Sequence, residues 1–123
     1  MKCLHIITPV KDSIDSTLET VKAIMESDIL VPFTYTVYND FSTEENTHRL
    51  EEAARQWNFR LVNLSDLTDH PSPNYLLVLQ TAQKEAIEAD AGLLIVESDV
   101  IVKKNTLQSL YNGADRKSTR LNS

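Results

Sequence analysis

The sequence predicts an α/β fold built on a mainly parallel sheet, and three observations carry that expectation. Short runs rich in apolar and β-branched residues, "CLHIIT", "FTYTVY", "FRLVNL" and "GLLIV", alternate with segments that have the apolar period of helices. The last of these runs is apolar at Leu93, Leu94, Ile95 and Val96 in succession, the pattern of a strand covered on both faces. The loops between elements are short enough for right-handed crossovers between parallel neighbours.

The elements follow in order. Residues 3–8 form a first strand, ended by Pro9. A helix over 13–26 places Ile14, Leu18, Val21 and Met25 on one face. Aromatic and β-branched residues make 33–38 a second strand, which runs into "NDFSTEEN". Ser42 and Glu45 have capping-box spacing and open a helix to Trp57, with Leu50, Ala53, Ala54 and Trp57 facing the core. A third strand spans 59–64, and "SDLTDHPS" is a polar loop. Pro73, at a first helical position, starts a helix to Ala89 with Tyr75, Leu79, Ala82, Ala86 and Ala89 on one face. The fourth strand then ends on Glu97 and Asp99, and a short helix spans 105–112.

Composition narrows the function. At 123 residues, with 41% hydrophobic and 24% charged residues, the chain is one domain or part of one. A formal charge of −6 and the lack of a basic stripe argue against nucleic acid as the main partner. No apolar run approaches the ~20 residues of a membrane span. The N-terminus is no convincing signal peptide, so a cytoplasmic location is expected. The single cysteine, Cys3, excludes an internal disulfide and reads as a small buried hydrophobe. His5, His48 and His70 are far apart in sequence and receive no role.

Residues 115–123, "DRKSTRLNS", break with the rest. They carry three of the twelve basic residues, show no apolar period, and follow the helix stop Asn112-Gly113. The string is similar to the translation of a common sequencing-adapter oligonucleotide, so it is expected to be a non-native or disordered tail. Residues 1–114 would then be the front part of a longer protein, with 9 basic and 17 acidic residues.

In a parallel sheet the C-terminal strand ends gather on one rim, where ligands bind. Three of those ends carry polar residues here: Thr8-Pro9, Asn39-Asp40, and Glu97-Ser98-Asp99. A hydroxyl and a carboxylate can hold a nucleobase edge. Two neighbouring carboxylates repel unless a cation or proton joins them. Mg²⁺ or Mn²⁺ suits oxygen ligands of this kind and completes its shell with water and substrate phosphates.

These stretches, "IITPVKDSIDSTLETVKAI", "YTVYNDFSTEEN" and "LLIVESDVIV", taken in order, resemble the front half of a family 2 glycosyltransferase with the GT-A fold. The resemblance implies a Rossmann-like, mainly parallel sheet flanked by helices, cut off after an Asp-x-Asp-like motif. It implies a nucleotide-diphosphate sugar as donor, a UDP-sugar above all, and transfer of the sugar to an acceptor hydroxyl. By the same resemblance Thr8 and Pro9 line the nucleobase pocket and Asp40 bonds the base edge. Asn39, in place of the first Asp of an acidic pair, belongs to the same nucleotide-binding set. Asp99 faces the donor diphosphate as metal ligand, and Glu97 reaches the ribose or the metal's water shell.

The general base of inverting members, and the acceptor-binding half, would lie beyond residue 114, so the piece alone is expected not to turn over. Phe41 and Lys11 also depart from the family pattern, which favours Gly and Asn there. Other readings are a sugar-nucleotide nucleotidyltransferase, a phospho-acceptor receiver domain, and a non-catalytic binding or interaction module. The first wants a Gly-rich basic loop after strand one, which "TPVKDSIDS" does not offer.

Overall fold

The structure, a computed structural model, describes residues 2–113 and the backbone of 119–121. It is the predicted α/β fold, with β1 (Cys3–Val10), α1 (Ile14–Met25), β2 (Phe33–Asn39), α2 (Glu44–Trp57) and β3 (Arg60–Asn63) in succession. A 3-10 turn at Leu64–Asp66 leads to α3 (Tyr75–Glu88), β4 (Ala91–Val96) and α4 (Thr106–Gly113). A short edge strand, β5 (Thr119–Leu121), pairs with Leu94–Val96 of β4. It falls within the segment expected to be a tail, the rest of which lies outside the described residues.

The strand order is β3-β2-β1-β4-β5, with every neighbouring pair parallel. The chain builds outward from β1 through β2 to β3, then returns to place β4 on the other flank of β1. The order therefore reverses between β1 and β4, and a crevice opens at such a point outside the strand C-termini.

Strand alternation sends side chains to two cores. Leu4, Ile6 and Val10 of β1 join Val37, Leu94 and Val96 in a cluster with Ile14, Val21 and Ile24 of α1, Leu50 and Ala53 of α2, and Leu107 of α4. On the opposite face Ile7, Tyr38, Leu93 and Ile95 pack against Val78, Ala82 and Ala86 of α3. The predicted inward faces of α1 and α2 are in place, with a difference in α1. Thr17 and Thr20 are buried there because their hydroxyls donate to the backbone oxygens of Ser13 and Ser16, one turn back.

Two helix starts shift. The N-cap of α2 is Thr43, whose hydroxyl accepts from Asn46 N at 3.2 Å, while the Ser42 hydroxyl accepts from Asp12 N at 2.8 Å. Asp12 in turn accepts from Thr43 N at 2.7 Å and Asn46 Nδ2 at 3.2 Å. These bonds hold its carboxyl below the usual carboxylate range. Helix α3 begins at Tyr75, after an N-cap Asn74 whose side chain is drawn toward Asp40.

The α3-covered face of the sheet is not apolar throughout. Toward the N-terminal ends of β1, β2 and β3 it carries His5, Thr34, Thr36 and Arg60. His5 Nδ1 lies 2.7 Å from Thr34 Oγ1. Glu85 of α3 joins this group: it accepts from Tyr38 Oη at 3.1 Å and pairs with Arg60 at 2.8 Å. Burial opposes the charge on Glu85, but the hydrogen bond and positive charge of Arg60 prevail and its pKa falls.

His5 is lowered below the ordinary imidazole value of 6.5, chiefly by burial, against the attraction of Glu85 and with the repulsion of Arg60. The unfolded chain therefore takes up this proton before the folded one does. Stability should be complete above pH 6.5 and decline as pH falls below it. Thermal melts of the wild type and His5→Gln between pH 7.5 and 5.5 check this. The wild type should lose stability over that interval and the variant should lose less; parallel curves would contradict it.

Candidate functional site

A cleft of about 200 Å³ lies at the crevice where the strand order reverses. Pro9 and Val10 of β1 line it with Lys11, Asp40 follows from β2, and Glu97 follows from β4. Ser72, Pro73, Tyr75 and Val78 close its other side. The rims of β1 and β2 are tied by Asp40 N donating to Val10 O at 2.8 Å. The Lys11 ammonium donates to the backbone oxygen of Phe41 and so bridges the loops after β1 and β2.

Asp40 is 8% exposed and heavily engaged. Its Oδ2 accepts from Ser72 Oγ at 2.9 Å and Asn74 N at 2.8 Å, and its Oδ1 from Asn74 Nδ2 at 2.8 Å. Asn74 Nδ2 also donates to His70 O at 2.9 Å. One carboxylate thus anchors the 70–74 loop and the start of α3 to the end of β2. A carboxylate offers about four acceptor directions, so a further donor can still be met on Oδ1.

The sequence-derived candidates divide into three groups. Pro9, Asp40 and Glu97 line one cleft. Thr8 and Asn39 sit at the same rim but turn inward. The Thr8 hydroxyl is buried and accepts from Tyr35 Oη at 2.8 Å. The Asn39 amide donates to Thr47 Oγ1 at 2.8 Å and Asn63 Oδ1 at 2.9 Å, and its oxygen accepts from Ser42 N at 3.2 Å. It stitches β2 to β3 and α2. Asp99, in the third group, is exposed on the turn after β4, beside the cleft lining rather than in it. That turn is closed by Val100 N donating to Glu97 O, and it is held to α1 by Thr20 Oγ1, whose one proton is shared between Ser16 O at 3.1 Å and Ser98 O at 3.0 Å.

Ser72, Asn74 and Tyr75 were missed by sequence reasoning. They lie in or beside a stretch that reads as polar loop, and the link of Ser72 and Asn74 to Asp40 spans more than thirty positions, beyond any local signal. Among the described residues, no group of three or more His, Cys, Asp or Glu side chains is placed to hold a metal ion. No helix among them is long and apolar enough to cross a membrane.

Solved structures of Staphylococcus aureus TarS match this architecture. TarS 1–349 superposes with a TM-score of 0.67 at 22% identity, covering 91% of this chain and 32% of that one. The chain shares its fold with TarS. TarS 1–349 in complex with UDP-GlcNAc gives a TM-score of 0.62 at 23% identity, over 91% of this chain and 30% of that one. A longer TarS structure gives 0.60 at 22% identity and is covered over 19% of its length. The chain therefore spans about a third or less of the TarS structures it matches. No family model and no curated protein sequence matches it.

Proposed function

We propose that the chain is the donor-binding part of a glycosyltransferase of the GT-A, family 2 type. It would bind a nucleotide-diphosphate sugar, preferably a UDP-sugar, which the whole protein transfers to an acceptor hydroxyl. The observation that carries this reading is the cleft at the strand-order reversal, with Pro9, Asp40 and Glu97 on its walls. The shared fold supports it, because one TarS structure holds UDP-GlcNAc. In this reading the nucleobase enters beside Pro9 and Tyr75 and meets the remaining acceptor direction of Asp40. Thr8 and Asn39 support the rim from inside rather than touching the donor.

The acidic end of β4 suits a divalent ion. Glu97 and Asp99 are two oxygen donors two residues apart, and Mg²⁺ or Mn²⁺ typically takes one or two carboxylates and fills the rest with water and phosphate oxygens. The absence of a three-residue cluster among the described residues is compatible with that mode. Such an ion would neutralise charge on the departing diphosphate. Glu97 and Asp99 would hold it, while Lys11 and Asp40 keep the two neighbouring loops in place.

Calorimetry with UDP in Mn²⁺ and in EDTA tests the proposal. Binding should depend on the ion and weaken at least about tenfold in Asp99→Ala, roughly 1.4 kcal/mol. Equal affinity in EDTA would remove the metal from the proposal, and no UDP binding in either buffer would overturn it.

A further inference from the structure

A cavity larger than the donor cleft lies elsewhere in the molecule. A groove of about 730 Å³ opens at the opposite end of the sheet, over the N-terminal halves of β1, β2 and β3. That volume falls within the range of small-molecule sites. Its floor is polar where the rest of this sheet face is apolar. His5 and Thr36 are 5% and 0% exposed, yet His5 Nε2 and Thr36 Oγ1 have no hydrogen-bond partner among the described residues. His5 Nε2 stands 3.7 Å from Glu85, too far for a hydrogen bond. A buried polar atom left unpartnered costs stability, so its retention calls for a compensating contact.

The chemistry of the walls selects the ligand. Arg60 is paired to Glu85, and Glu88 adds a further negative charge, so the groove repels phosphates and carboxylates. The groups on offer are mixed: a hydroxyl that donates and accepts, an imidazole, the guanidinium edge and a carboxylate. Phe33 and Met25, both half-buried, supply apolar wall. A ligand matching this set is neutral, carries several hydroxyls that both donate and accept, and has an apolar ring face.

We propose that this groove is a second binding site, separate from the donor cleft, for a neutral mono- or disaccharide. The sugar hydroxyls reach Thr36 and His5 when the half-exposed Glu85 and Arg60 side chains, still paired to each other, shift aside and turn their outer edges to the ligand. The site does not rest on the donor reading, because it faces the other end of the sheet and shares no residue with the cleft.

The test is NMR titration of the whole 123-residue chain with glucose, galactose, N-acetylglucosamine, maltose, lactose, diacetylchitobiose and inorganic phosphate, without UDP. At least one neutral sugar should bind with millimolar affinity and shift the signals of His5, Thr36 and Arg60, while phosphate shifts none of them. Thr36→Val, close to isosteric, should weaken that binding at least fivefold and leave UDP binding unchanged. The proposal fails if no sugar shifts these signals below ~50 mM, a dissociation free energy under about 2 kcal/mol. It fails equally if phosphate binds as well as the sugars, or if the shifts map to the donor cleft. The wild-type map decides the matter even if the variant does not fold.

Discussion

Asp40→Ala should lose roughly 3 kcal/mol of folding stability in urea melts. The substitution removes one buried acceptor group that receives three donors, from Ser72 Oγ, Asn74 N and Asn74 Nδ2. Hydrogen bonds to an ionised group are worth more than neutral ones, and Asn74, itself buried, is left with donors unmet. Asp40→Asn should lose less, because with its oxygen in the Oδ2 position it still accepts from Ser72 Oγ and Asn74 N, and only Asn74 Nδ2 meets another donor. A loss under about 0.5 kcal/mol for Asp40→Ala would show that the loop is held by something else.

The same residue offers a way to separate contact from positioning. If Asp40 meets the nucleobase directly, Asp40→Ala should abolish UDP binding while Asn74→Ala only weakens it. If Asp40 acts by placing the 70–74 loop, the two variants should weaken binding alike. Calorimetry on both, at a temperature where both are folded, distinguishes the cases.

Leu50→Ala should be at least as costly, at about 3 kcal/mol. Leu50 is 0% exposed and lies in the larger core with Ile6, Val21 and Val37, where α2 meets the sheet. Truncation there loses the transfer free energy of the side chain and leaves a cavity that rigid strands on one side cannot collapse. Leu30→Ala is the control: Leu30 is 86% exposed, and its truncation should stay within about 0.5 kcal/mol of wild type. For a domain whose total stability is about 5–15 kcal/mol, the Leu50 variant should show a clearly displaced urea midpoint. Similar midpoints for the two variants would contradict the packing.

The order of elements was legible because each has a local cause. The unbroken apolar run of β4 and the β-branched, aromatic β2 declare themselves within a few residues, and so do the faces of α1 and α2. The rim was legible for a topological reason, since parallel strands bring their C-termini to one side. Side-chain direction at that rim was not. Thr8 and Asn39 look like ligands in sequence, but Tyr35 and the Thr47–Asn63 pair claim their polar groups, and those partners are distant along the chain. Helix α3 began two residues later than Pro73 suggested because Asn74 is recruited by Asp40, again a tertiary contact. The groove at the far end of the sheet left no motif at all: His5, Thr36, Arg60 and Glu85 come from four separate elements.

The central place of β1 has a consequence for synthesis. It is the earliest strand in this chain, yet it needs β2 on one side and β4 on the other, with Cys3 opposite Ala91. At about 5–20 residues per second, its second edge waits several seconds for that neighbour to leave the ribosome. During that interval an apolar strand edge is open to pairing with other nascent chains. Yield in cells should therefore respond to chaperone supply and to translation speed between the third and fourth strands.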